Sequence, residues 1–97
     1  MAVAVYFHPR GMTLEQFDEI GRRLEAGGHL PPKGGLHLSC FGTDGDLMVY
    51  NVWESQEAFD EFGKVLMPII AEVGIEGDPP QVMQLHRMEQ PGEVHVS

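Results

Sequence analysis

The stretch LHLSCFGTDGDLMVYNVW, residues 36–53, decides how this chain folds. Two β-prone runs flank Asp44-Gly45, and an Asp-Gly pair between apolar runs is a strong signal for a tight hairpin turn. Pivoting there pairs Gly42 with Leu47, Cys40 with Val49, Leu38 with Asn51 and Leu36 with Trp53. Side chains alternate along a strand. One face then carries Leu36, Leu38, Cys40, Leu47, Val49, Asn51 and Trp53, and the other carries His37, Ser39, Phe41, Met48, Tyr50 and Val52. Both faces are substantially apolar, whereas a half-solvated antiparallel sheet shows one polar face. Helices can cover only one side, so a second copy of the chain is expected over the other.

Working outward, AVAVYFH (2–8) is short, β-rich and stopped by Pro9 and Gly11, which predicts a first strand. TLEQ (13–16) matches a capping box, and Leu14, Phe17, Ile20 and Leu24 then recur at helical spacing until Gly27-Gly28. GHLPPKGG (28–35) cannot continue a helix and reads as a loop. Beyond the hairpin, Ser55 caps a second helix whose apolar positions are Ala58, Phe59, Phe62, Leu66, Ile69, Ile70 and Val73; Pro68 should break or kink it. After GDPP (77–80), QVMQLHRM (81–88) supplies a last strand. The order β-α-β-β-α-β predicts an α+β, ferredoxin-like domain with an antiparallel four-stranded sheet over residues 1–88, followed by a polar tail, 89–97.

Ninety-seven residues bury only a small core, which makes pairing with a second chain advantageous. Fifteen acidic against six basic residues give a net charge of −9, and the six cations are scattered, so no nucleic-acid partner is expected. No apolar run reaches membrane-spanning length, and the N-terminus lacks a basic segment followed by a long apolar core. A cytoplasmic protein with no membrane partner is expected, and the single cysteine, Cys40, fits a reducing compartment. None of the five histidines shows metal-ligand spacing, so no metal site is expected, and no glycine-rich phosphate loop follows a strand.

The run VYNVWESQEAFDEF (49–62), with PIIAEVG (68–74) and a last strand behind it, resembles the antibiotic biosynthesis monooxygenase-like group of dimeric α+β barrels. The resemblance implies a homodimer joined through the sheet, with a pocket between sheet and helices for a small apolar or aromatic molecule. It also implies a choice of activities: cofactor-independent oxygenase, cyclase, haem-degrading enzyme, or none. In some cofactor-free oxygenases of the group, an asparagine and a tryptophan on one strand serve the reaction, and Asn51 and Trp53 share a face here. Haem-degrading members carry a histidine on the second helix about ten residues after the tryptophan. This chain has Phe62 and Gly63 there, so no cofactor is expected.

The residues admit a sharper and a plainer reading. An amide on an apolar strand must find partners or cost about 1–3 kcal/mol. Asn51 therefore bonds either a loop or a ligand. Trp53 is either a core aromatic or a surface for a substrate ring. His86 would end a strand parallel to the one bearing Trp53, which makes it a candidate base near the same end of the sheet. Phe17, Leu38, Val49, Phe62 and Leu66 are the expected substrate-binding set. The enzymatic expectation is a cofactor-independent monooxygenase or cyclase acting on an aromatic or polyketide-like molecule through Asn51, Trp53 and His86. The alternative is a non-catalytic ligand-binding or dimerisation module.

Overall fold

The computed structural model describes residues 1–89 and has the expected element order. The elements are β1 (Val3–Phe7), α1 (Leu14–Ala26), β2 (Gly35–Thr43), β3 (Asp46–Trp53), α2 (Gln56–Val73) and β4 (Gln81–Gln84). The four strands form one antiparallel sheet in the order β2-β3-β1-β4. The tail residues 90–97 lie outside the described residues.

The hairpin pivots on Asp44-Gly45, with Thr43 opposite Asp46, Cys40 opposite Val49 and Leu38 opposite Asn51. Gly45 supplies the positive φ, +91°, that this two-residue turn requires. The expected pairing of Leu36 with Trp53 does not form. Gly35 stands opposite Trp53 and His37 opposite Val52, so Leu36 is the extra residue of a bulge and leaves the face of Trp53. The cause lies in the preceding loop. Gly34, at φ +82°, accepts the Glu54 amide through its carbonyl (2.9 Å), and Gly35 donates to the Pro32 carbonyl. The strand is thereby anchored one residue out of simple register.

Thr13 caps α1 through a reciprocal box, its hydroxyl accepting from the Gln16 amide while the Gln16 side chain accepts from the Thr13 amide. Asp44 at the hairpin turn also accepts the Leu14 amide (2.9 Å), tying the tip of the hairpin to the start of α1. On the inner face of α1, Ile20 and Leu24 are buried and Phe17 half-buried, while Leu14 stays half exposed.

Pro68 does not break α2, which runs unbroken from Gln56 to Val73. Proline removes one donor, but Pro68 and Lys64, the residue a turn before it, are exposed, whereas Leu66, Ile69, Ile70 and Val73 pack against the core. Burial of that stripe outweighs a bond lost on the outer face. The helix stops at Gly74, whose φ of +86° closes a left-handed cap onto Ile70 and Ala71. The last strand is shorter than QVMQLHRM predicts and pairs only through Gln84, so His86 lies beyond it, exposed.

Both helices lie on the sheet face of Val5, Cys40, Val49 and Trp53, where two apolar clusters form. An aliphatic one holds Met12, Ile20, Leu24, Leu47, Val49, Ile70 and Ile75. A second, around Val3, Val5 and Trp53, is rimmed by Ala58, Phe59, Phe62 and Val82. The opposite face carries no helix, and there Phe41 and Met83 are 45% and 49% exposed.

Candidate functional site

Asn51 and Trp53 stand two residues apart on β3, so alternation brings both to the helix-covered face. Trp53 is buried at 4% exposure. Its ring tilts against Phe62 (centroids 5.0 Å) and Phe59 (5.9 Å), both supplied by the first two turns of α2. Ser55 sets the position of those turns by capping the helix through its hydroxyl, which accepts the Ala58 amide (3.1 Å).

The indole Nε1 of Trp53 donates to Oδ1 of Asn51 at 2.5 Å. Asn51 is half-buried, with Leu38 opposite it on β2 and Val5 opposite it on β1. Among the described residues no hydrogen bond engages its Nδ2, and no buried side-chain nitrogen or oxygen is left unpaired. Leu38 on the edge strand is 62% exposed, so the sheet beside Asn51 opens toward solvent along β2.

A cleft of about 470 Å³ lies between the loop after α1 and the start of α2. Phe62, Ala58 and Val65 form its apolar wall, Glu54, Glu57 and Glu61 line it from the sequence around the start of α2, and His29 and Lys33 belong to the loop. Phe62 is shared between this cleft and the ring contact with Trp53.

Of the expected substrate-binding set, Phe62 lines the cleft. Phe17, Val49 and Leu66 pack with the aliphatic cluster, and Leu38 sits on the open flank beside Asn51. The structure brings Asn51 and Trp53 into direct contact and does not bring His86 to them. Gln84 and Trp53 both stand opposite Val3, so β4 does end at the Trp53 end of the sheet. However, β1 separates the two strands, a lateral distance of about 10 Å from two ladder spacings. His29 is a titratable group that sequence reasoning passed over, because GHLPPKGG signals only a connection and says nothing of what the loop faces.

Burial, with the nearby Asp18 carboxylate as a smaller cause, pushes the Cys40 thiol above its ordinary value. That keeps the sulfur neutral and poorly nucleophilic near pH 7. Among the described residues no group of three or more His, Cys, Asp or Glu side chains could hold a metal ion, and no helix is long and apolar enough to cross a membrane.

Neither a protein-family profile nor a curated protein matches the chain. Solved structures do. An asparagine-to-alanine variant of SnoaB, a cofactor-independent oxygenase from Streptomyces nogalater, superposes with a TM-score of 0.63 at 13% identity, over 94% of this chain and 97% of that one. A structure described as a candidate antibiotic biosynthesis monooxygenase from Deinococcus radiodurans gives 0.59 at 9% identity, over 96% and 100%. A Mycobacterium tuberculosis protein gives 0.50 at 20% identity, over 94% and 97%. The chain therefore has the ferredoxin-like α+β fold of the antibiotic biosynthesis monooxygenase-like structures, as its sequence pattern predicts.

Proposed function

We propose that the protein is a cofactor-independent oxygenase acting on an aromatic, polyketide-like substrate held against Phe62, with Asn51 as the donor that stabilises its anion. The observation that carries the reading is the Asn51 amide: its oxygen is occupied by Trp53 and its NH2 group is left available on an otherwise apolar face. The resemblance in fold to SnoaB supports the class of chemistry.

For an anthrone, the substrate's ring CH2 loses a proton, and the resulting carbanion, delocalised onto the neighbouring oxygen, passes electrons to dioxygen. A carbon-oxygen bond forms, the peroxide loses water, and CH2 plus O2 becomes C=O plus H2O. The substrate itself is the reductant. The protein need only accept a proton, hold the oxyanion and exclude water. Asn51 supplies the second of these roles and the Trp53–Phe62 aromatic wall contributes to the third. His86 was the sequence's candidate for the first. His29 is the second candidate, supported by its place in the lining of the cleft with Phe62.

In this reading a second copy of the chain covers the helix-free face, where Tyr6, Phe41, Met48, Tyr50 and Met83 leave an apolar surface. Sedimentation at micromolar concentration should give a dimer, and a stable monomer would remove that part. A cytoplasmic location accords with the single half-buried cysteine.

Oxygen uptake with anthrone and hydroquinone substrates, with metals chelated and no flavin added, tests the activity. Asn51→Ala should lower turnover by about 10²- to 10³-fold, the loss typical of one oriented oxyanion donor, while leaving the dimer intact. Uptake at the buffer rate across the panel leaves a non-catalytic ligand-binding module as the better reading.

A further inference from the structure

We infer that Trp53 is a positioning residue whose indole N–H locks the Asn51 amide in the one orientation that occupies its oxygen and leaves both Nδ2 protons free to donate. This rests on the reading of Asn51 as the anion-stabilising donor. An indole nitrogen donates and never accepts, so the atom it meets on Asn51 is the amide oxygen. An asparagine amide otherwise rotates between two orientations that differ by exchanging donor for acceptor. Here only one of them satisfies the indole.

The lock is itself held. Trp53 is 4% exposed and wedged against Phe59 and Phe62, and its backbone is tied to the bulge at the start of β2, where Gly35 stands opposite it. A donor that must meet developing negative charge is worth most when it is already oriented, because no reorganisation is then required during the reaction. Trp53 thus acts on the substrate through Asn51 and contributes no hydrogen bond of its own, since its one N–H is already used.

The chain has a single tryptophan, so one indole N–H resonance reports the lock in this 97-residue chain with no ligand present. Its hydrogen exchange should be slow in the wild type, faster by about tenfold or more in Asn51→Ala, and slow again in Asn51→Asp, which keeps the acceptor. Exchange as fast in the wild type as in Asn51→Ala overturns the lock. None of these measurements depends on turnover or alters the tryptophan. In the anthrone assay, Trp53→Phe keeps the aromatic wedge and removes the N–H. It should lower kcat about tenfold with KM unchanged, and adding Asn51→Ala should cost no more than Asn51→Ala alone. Wild-type kcat in Trp53→Phe, or a rise in KM alone, overturns the positioning role. Buffer-level uptake by the wild type overturns the oxygenase reading, while the exchange series still decides whether the amide is locked.

Discussion

The two apolar clusters beneath the helices are built from different residues and face different tasks. The aliphatic cluster is the more buried: Met12, Leu24, Leu47 and Ile75 are each less than a tenth exposed, Phe17, Leu66 and Ile69 pack around them, and it meets the cleft only at its edge, through Phe62 and Val65. The aromatic cluster is anchored by Val3, Val5 and Trp53, but its rim is half-buried, and Phe62 also lines a cleft. Close-packed interiors leave little space for a ligand. The first region should therefore carry more of the stability, and the second, where Phe62 lines the cleft, is where the proposed ligand would sit.

The largest effect that tests this division is a pair of truncations. Leu47→Ala removes a side chain that is 3% exposed and leaves a cavity in the aliphatic cluster, which should cost about 2–5 kcal/mol. Phe62→Ala removes more atoms, yet its site already opens to solvent and can relax or fill with water. Urea denaturation should find Leu47→Ala the less stable of the two. An equal or greater loss for Phe62→Ala would mean that the cleft end carries the fold as well.

Much of this division was legible in the residues. Asp44-Gly45 gives the hairpin register as far as Asn51, and alternation then places Asn51 and Trp53 on one face. The Thr13 capping box and the apolar spacing of both helices give the layer above them. Three features escaped. The bulge at Leu36 arises from backbone bonds of Gly34 and Gly35, which no hydrophobic pattern encodes. Pro68 breaks a local rule, but its helix is held by Ile69 and Ile70 against a distant core. The bond between Trp53 and Asn51 depends on rotamers, so the sequence could show that the two share a face and could not show that they touch.

A smaller effect compares the caps at the two ends of the structure. Thr13 is backed by Gln16 and by Asp44 from the hairpin tip, so several groups share the satisfaction of the α1 N-terminus. Ser55 is the side chain that caps α2. Removing a capping oxygen typically costs about 1 kcal/mol. Ser55→Ala should reach that figure and also perturb cleft binding, because Ser55 and Ala58 both line the cleft. Thr13→Ala should cost the same or less and leave ligand affinity unchanged. Affinity lost equally in both variants would break the separation of the two regions.

The smallest effect lies where the regions meet, on the helix-side face of β2. Along it Leu38 is 62% exposed, whereas Cys40 is half-buried against the aliphatic cluster. Burial first, and the Asp18 charge second, raise the Cys40 pKa in the folded state. The folded protein thus holds the thiol proton more tightly than the unfolded chain does. Any stability this contributes is complete below the ordinary thiol pKa and is lost as pH rises through the raised folded value. Iodoacetamide alkylation should accordingly reach half its limiting rate at a higher pH in the folded protein than in urea, and Cys40→Ser should flatten the decline in stability on the alkaline side. Coincident folded and urea profiles would place Cys40 in an environment as wet as that of Leu38, and the boundary between closed core and open flank would move one residue pair toward the hairpin turn.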